Sequence, residues 1–433
     1  MQPSSEVPVN FFIPSLSFPR RRESSVFMFG SPPARRRGLD AHIRGHDGKN
    51  FLSFELSLKV AFVFLCLFLI NTAAGDNAIA ADQPDFLSVT GPCNLVFPKD
   101  HGSHPGYRTE WWYYTGNLEA ETGNRYGFQL TFFRSQINGA ADEKRRPHPS
   151  SAWRVRQIYF GHAAITDIFK KRHLQSELMA RGTLGMAGVS QKKTGTLVFI
   201  KNWSANIGAD RHLLKTVTDE FSYELRLKPA KPPVLHGQAG YSRKGSTPER
   251  ASCYYSISRL ITDGVLTVGD KKTAVHGLGW MDHEFSTAPL EPGIIGWDWF
   301  SLQLSDQTEI MLYLLRNEQG RFSPASSGTF ITASGRPEPL TKDDFRVDVL
   351  DTWKSPRSRA VYPVHWRITV FPLAIEIIAK ANILDQEMQT QATTGVTYWE
   401  GSISIKGSAG TYPVEGSGYA ELTGYSQAFN ASM

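Results

Sequence analysis

Cysteine is scarce in this chain of 433 residues: there are three, and one of them, Cys66, lies inside an apolar N-terminal run. That scarcity excludes a disulfide-dense scaffold and a paired-cysteine zinc site. Long hydrophobic runs are as rare. The longest, Val60 to Ile70, spans eleven residues, too few to cross a bilayer. Beyond it no stretch carries the period of an ordinary amphipathic helix, and the Walker and dinucleotide glycine motifs, which need a strand–helix context, are absent too. Nor is there a GxSxG nucleophile elbow or an HExxH zinc motif. Charge imbalance is small. Of 47 basic and 41 acidic residues, nine and six lie in the first 80, which leaves 38 against 35 and a net +3 over the remaining 353. So weak a balance implies no nucleic-acid partner.

Residues 1–50 contain two arginine clusters (Arg20 to Arg22, Arg35 to Arg37) among Pro and Ser, with no periodic pattern. Such a composition cannot bury a core and reads as a disordered or mis-started leader, with Met28 a candidate start. A basic arm for nucleic acid or membrane is the competing reading. Residues 51–80 read as a secretory signal: Lys59, the Val60–Ile70 run, then Ala78-Ile79-Ala80 as an A-x-A cleavage site. A retained membrane anchor is the alternative. Export to the periplasm or medium would put Cys93 and Cys253 in an oxidising compartment, where one intramolecular bridge is open to them.

What is abundant is alternation. Short segments of alternating apolar and polar residues, separated by Gly, Asn, Asp and Pro, run through the rest of the chain and predict an all-β protein of two domains. TEWWYYTGNL and YGFQLTFFRS read as a hairpin about Glu121–Asn124, with Tyr126, Phe128, Leu130 and Phe132 on its inward face. RQIYFGHAAITDI is a strand carrying His162, and residues 230–249 read as a long Gly/Pro-rich loop. The segment Ala288 to Pro292 marks the expected boundary between domains 94–287 and 288–430.

Around that boundary, His276 to Leu304 concentrates tryptophan, histidine and acid. In extended phase His276, Trp280, Asp282 and Glu284 share one face, and Met281, His283 and Phe285 the other. Asp298 lies in line with Phe300, Leu302 and Leu304, opposite Trp297, Trp299, Ser301 and Gln303. Carboxyls beside aromatics are desolvated and keep their protons, which suits a general acid. Adding water to an isolated alkene needs such an acid, an aromatic wall for the cation, and a held water. Asp282, His283 and Asp298 are therefore the candidate catalytic residues, and Trp280, Trp299, Trp112, Tyr114, Tyr313 and His162 the candidate ligand contacts. For each, a structural role competes: aspartates commonly accept indole N–H bonds, and tryptophans commonly fill barrel cores. Glu400 and Glu421 are expected at barrel rims. Asp282, His283 and Glu284 with His162 or His276 offer metal-ligand types, yet neighbours on a strand point opposite ways, so no metal and no cofactor is expected.

TEWWYYTGNL, GWMDHEFS, GWDWFSLQL, YWEGSISIKG and GSGYAELTGY, in this order, resemble the AttH-like and carotenoid 1,2-hydratase (hydroxyneurosporene synthase) family over about residues 106–425. The resemblance implies two consecutive lipocalin-like β-barrels, often exported. Hydratase members add water to the terminal double bond of acyclic carotenoids; other members are labelled secreted hydrolases. Where hydratases carry His-x-Trp, this chain has His283-Glu284-Phe285, and in place of Tyr-x-Asp it has Tyr313-Leu314-Leu315. The AttH-like branch is the closer match. The expected function is binding of an extended apolar, isoprenoid or lipid-like molecule inside a barrel, with hydratase- or hydrolase-type activity; a non-catalytic lipid carrier, with a membrane surface as a further partner, is the alternative. Intact-mass analysis of exported protein is expected to place the mature N-terminus near Ala81; a start elsewhere would refute the signal assignment.

Overall fold

The computed structural model describes residues 86–139, 151, 153–288 and 290–429; the leader and signal expected above lie outside them. Among the described residues every regular element is a β-strand apart from three single-turn 3-10 segments. Strands β1 (Thr109–Ala120), β2 (Arg125–Gln136), β3 (Gln157–Asp167) and β4 (Arg172–Arg181) form one antiparallel meander. A second runs through β5 (Ala187–Lys192), β6 (Gly195–Ile200), β7 (Trp203–Ile207), β8 (His212–Val217) and β9 (Phe221–Pro229). Two short strands, β10 (Val234–Leu235) and β11 (Tyr241–Arg243), lie along the first half of the long strand β12 (Ala251–Val268), whose second half pairs with β9. Strand β13 (Lys271–Ser286) then pairs with β12 on one side and β1 on the other, curling the sheet into a barrel whose edges are β4 and β5.

The second sheet repeats the plan. Strands β14 (Ile294–Leu304), β15 (Glu309–Asn317), β16 (Ser327–Ile331) and β17 (Pro337–Thr341) lead to an edge, and β18 (Phe345–Lys354), β19 (Val361–Val370) and β20 (Ile375–Ala381) resume from the other. Short β21 (Glu387–Thr390) covers the first half of β22 (Val396–Ala409), β20 pairs with its second half, and β23 (Tyr412–Leu422) closes onto β14. The architecture is thus all-β, two lipocalin-like antiparallel barrels in succession. The chain leaves the first sheet at Ser286 and enters the second at Ile294. Residues 230–249 are more than a loop: β10 and β11 are built from them, because β12 runs far beyond β9 and its exposed edge needs hydrogen-bond partners.

Side chains fill both barrels. Trp112, Tyr114, Phe128, Leu130, Phe132, Trp203, Leu227 and Met281 pack inside the first; Phe300, Leu302, Trp366, Ile368 and Trp399 pack inside the second. The hairpin predicted for β1 and β2 forms, with Tyr126, Phe128, Leu130 and Phe132 inward. Close-packed aromatics occupy the barrel interiors where the sequence suggested a ligand, and the cavity described below lies between the barrels. Strands such as β8 alternate buried and exposed residues, whereas β1, β13, β14 and β22 are buried over most of both faces. Their outer faces pack barrel against barrel, through Tyr113, Tyr254, Trp280, Trp299, Tyr313 and Tyr419.

Polar ties across this interface are reciprocal. Asn117 on β1 donates to the Gly418 carbonyl of β23 at 3.0 Å, and Gln303 on β14 donates to the Ser258 and Gly279 carbonyls of β12 and β13 at 2.8 and 2.9 Å. At Gly127 the barrels approach so closely that a Cβ would lie 2.8 Å from Ser402 Cβ and from the Tyr419 hydroxyl. Glu309 on β15 is fully buried between Lys231, 2.7 Å away, and Arg259, both from the first barrel. Removing one member of such a group leaves the others charged and desolvated. Glu309→Ala is expected to cost about 3–5 kcal/mol in a urea-unfolding measurement; a loss below about 1 kcal/mol would show that water reaches this site.

Candidate functional site

A cavity of about 270 Å³ opens between the two barrels. From the first barrel it is walled by Trp111 and Tyr113 of β1, Phe133 of β2, Phe160 and His162 of β3, Tyr254 of β12, and Asp282 and Glu284 of β13. The second barrel contributes Trp297 and Trp299 of β14, Tyr313 and Leu315 of β15, Tyr398 and Glu400 of β22, and Glu421 of β23. All of these lie on outward faces, so strand alternation that points one residue into a barrel core points the next into this cavity.

Asp282 is buried and held on both oxygens. The Trp280 indole donates to Oδ1 at 2.6 Å, Ser256 donates to the same oxygen, and Tyr254 donates to Oδ2 at 2.7 Å. Burial nevertheless pushes its carboxyl up to about 7, against those three bonds. Tyr254 in turn accepts from the Trp299 indole at 3.1 Å. Ser256 is 2.6 Å from His236 Nε2, whose Nδ1 is 2.9 Å from Thr329 Oγ1 on the second barrel. Lys244 sits 3.3 Å from Glu284 and lies over the rings of Tyr313 (3.8 Å) and Tyr254 (5.0 Å). Desolvation would lower its ammonium pKa, but the charges of Glu284 and its neighbours raise it on balance, so it stays charged.

On the opposite wall Glu400 and Glu421 face each other in the β22–β23 register. Burial raises Glu400 well above the ordinary carboxylate range, and the Glu421 charge adds to it. Burial likewise raises Glu421, to about 8, with the charges of Asp282 and Glu284 adding. Two carboxyls so close and so dry retain a proton between them. Tyr113 approaches Glu400 without completing a hydrogen bond: its hydroxyl and Glu400 Oε1 are both buried with no bonded partner among the described residues. His162, bonded through Nδ1 to the Tyr398 hydroxyl at 2.9 Å and through Nε2 to Thr393 Oγ1 at 3.0 Å, is pushed down to about 3 by burial and is neutral.

The residues singled out from sequence divide. Asp282, Trp299, Tyr313 and His162 line the cavity; Trp280 lies beside it as the indole donor to Asp282. His283 points the other way, into the first barrel, between the Tyr255 hydroxyl (2.9 Å) and Glu110 (2.9 Å). Asp298 is in the second barrel, bonded to the Tyr425 hydroxyl at 3.0 Å and 3.6 Å from Arg316; burial pushes it up to about 6. Trp112 donates to the His101 carbonyl and Tyr114 pairs with His212, both inside the first barrel. Asp282, His283 and Asp298 therefore share no cavity, because each follows the phase of its own strand. Glu400 and Glu421, expected at rims, are buried in the cavity wall, since the rim of one barrel is covered by the other. One signal could have found Glu421: Gly416-Ser417-Gly418-Tyr419-Ala420-Glu421 repeats Gly277-Leu278-Gly279-Trp280-Met281-Asp282 as Gly-x-Gly-aromatic-x-acid.

Cys93 and Cys253 are joined by a disulfide, which fastens the segment before β1 to β12. Comparisons with known proteins agree with this architecture. An AttH from Nitrosomonas europaea superposes with a TM-score of 0.69 at 31% identity, over 78% of this chain and 100% of that one. Kievitone hydratase from Nectria haematococca shares the fold, with a TM-score of 0.60 at 15% identity over 79% of this chain and 97% of its own. No curated protein sequence matches. The AttH-like family pattern matches residues 88–425, and the chain belongs to the AttH-like family.

Proposed function

We propose that this protein is an exported hydratase-type enzyme acting on the unsaturated end of an apolar, isoprenoid-like molecule held between the barrels. The observation that carries this reading is the Glu400–Glu421 pair, a proton held in a dry pocket walled by Trp297, Trp299 and Tyr398. In the proposed step a carboxyl of the pair gives its proton to one alkene carbon, and the cation formed at the other is stabilised by aromatic faces. Water then adds to the cation and returns a proton to the carboxylate, so the net change is addition of one water. The unpartnered Tyr113 hydroxyl and Glu400 Oε1 are suited to hold that water or the product alcohol.

The volume, near the lower end for ligand pockets, fits one end of a chain better than a whole polyene. Kievitone hydratase, by its name a hydratase, shares this fold and supports the reaction class. The Cys93–Cys253 disulfide supports an oxidising compartment, in keeping with the expected signal.

The test is incubation of the purified protein with prenylated and isoprenoid alkenes in 18O-water, read by mass spectrometry for one added labelled water. Replacing Glu400 and Glu421 together by Gln is expected to reduce turnover by about 10²–10⁴-fold. Hydration that survives unchanged in that double variant would sink the assignment, and ligand retained without turnover in the wild type would make the protein a carrier.

A second outcome follows from the raised folded-state pKa values. Below about 4.5 the pair is protonated whether folded or not, and its contribution to stability is full. As pH rises toward about 8 the unfolded carboxyls ionise and the folded ones do not, so this stability is lost across that window. The buried histidines His162, His173 and His236, each held near 3, weaken the fold on the acid side and are common to both proteins. The difference in urea midpoint between Glu421→Gln and wild type is therefore expected to grow in the variant's favour from pH 5 to pH 8. A difference independent of pH would mean that the pair does not hold its proton.

A further inference from the structure

At the end of the first barrel, beside the cavity that Glu110 and Arg134 also line, three potential metal ligands from three parts of the chain converge. His104 comes from the segment before β1, Glu110 from β1 and His283 from β13. His104 Nδ1 lies 2.7 Å from Glu110 Oε1 and His283 Nε2 lies 2.9 Å from the same oxygen, and the three atoms fall within 4.8 Å of one another.

The atoms not turned inward are each held from outside. His104 Nε2 is 3.4 Å from the Asp100 carboxylate, His283 Nδ1 is 2.9 Å from the Tyr255 hydroxyl, and Glu110 Oε2 accepts from Arg134 Nε at 2.8 Å. Outer contacts of this kind fix the tautomer and ring orientation of metal-ligating histidines. Stacking fixes the ring planes as well: His104 lies on Phe285 with centroids 3.7 Å apart, and His283 on Trp112 at 4.7 Å.

We propose that His104, Glu110 and His283 form a binding site for one divalent transition-metal ion of the zinc class. Two imidazoles and one carboxylate suit Zn²⁺ or Co²⁺ rather than Mg²⁺ or Ca²⁺, which prefer all-oxygen sets. With metal–ligand distances of about 2.0–2.1 Å, tetrahedral ligand atoms sit about 3.3 Å apart, so each nitrogen moves roughly half an ångström from Oε1 to admit the ion. His104 is partly exposed and gives the ion its way in, while Glu110 and His283 are fully buried. The ion would clip the His104 segment, already fastened at Cys93, to β1 and β13. This site does not rest on the hydration chemistry proposed above, although Glu110 also lines that cavity.

The experiment uses the purified, oxidised full chain, stripped with a chelator and titrated with Co²⁺ and then Zn²⁺. One equivalent of Co²⁺ is expected to give visible d–d absorption, displaced by Zn²⁺, with a rise in Tm on metal addition. His104→Ala, whose folding circular dichroism checks, is expected to lose stoichiometric binding. Asp100→Asn, which takes the negative charge from the outer contact and leaves one acceptor oxygen to serve both His104 and the Val96 N–H, is expected to weaken binding about 10–100-fold and decides the matter if His104→Ala fails to fold. Folded wild type that binds no equivalent of either ion, or binding unchanged in both variants, would overturn the proposal and leave the three side chains as a hydrogen-bonded cluster.

Discussion

Burial of the outward faces of β1, β13, β14 and β23 against one another is the constraint on which the rest of this molecule depends. A lipocalin-like barrel standing alone would show those faces to water, where polar residues cost nothing. Packed barrel against barrel, every polar atom on them needs a protein partner or loses its hydration for no return. Asn117 and Gln303 meet that demand by reaching across to carbonyls of the opposite barrel. Glu309 meets it with two cations. The carboxyls around the cavity meet it in part by holding on to protons. The same desolvation that makes the interface demanding makes Glu400 and Glu421 acids.

The repeat of the strand plan gives this interface an approximate two-fold character. Strand β1 corresponds to β14, β12 to β22 and β13 to β23 by their order in the sheets. Sequence follows: Tyr255-Ser256-Ile257-Ser258 on β12 matches Gly401-Ser402-Ile403-Ser404 on β22. Asp282 and Glu421 occupy equivalent places and approach the cavity from opposite barrels. The symmetry then breaks where chemistry is concentrated. Glu400 stands where β12 has Tyr254, and Tyr254 hydrogen-bonds Asp282 while Glu400 faces Glu421 across the β22–β23 pair. One half of the cavity thus presents a carboxyl bonded on both oxygens, and the other a facing pair of carboxyls whose pKa values burial raises.

Much of this was legible in the chain. Alternation fixes strands, and strands fix faces, so the opposed directions of Asp282 and His283 follow from period two alone. That Asp298 would lie in line with Phe300 and Leu302 follows in the same way. What period two does not carry is which outward face meets solvent. Trp280, Asp282 and Glu284 could have capped a rim as easily as walled a cavity, and Glu400 and Glu421 looked like rim residues for that reason. Their burial depends on a second barrel whose distance no local pattern encodes. Lys244 was hidden for a related reason. It sits in a Gly/Pro-rich connection that resembles surface loop until the overhang of β12 is known.

His283 shows how such a shortfall can mislead in the other direction. Read along its own strand, it had only Asp282 and Glu284 as near acids, both facing away, which argued against a metal. Its acid is Glu110, two places along β1 from Trp112, the residue opposite it in the β1–β13 register. Its second imidazole comes from a segment outside the barrel, tethered by a disulfide whose two cysteines lie 160 residues apart in sequence. A ligand set assembled from a strand, its sheet neighbour and a fastened strap has no spacing to recognise. It exists only once the sheet has closed, and closure is also what aligns the four outward faces of the cavity. The carboxyl pair and the histidine cluster therefore come from different strands, the cluster made by closing the first barrel and the pair buried by packing the second against it, with Glu110 at the margin of both.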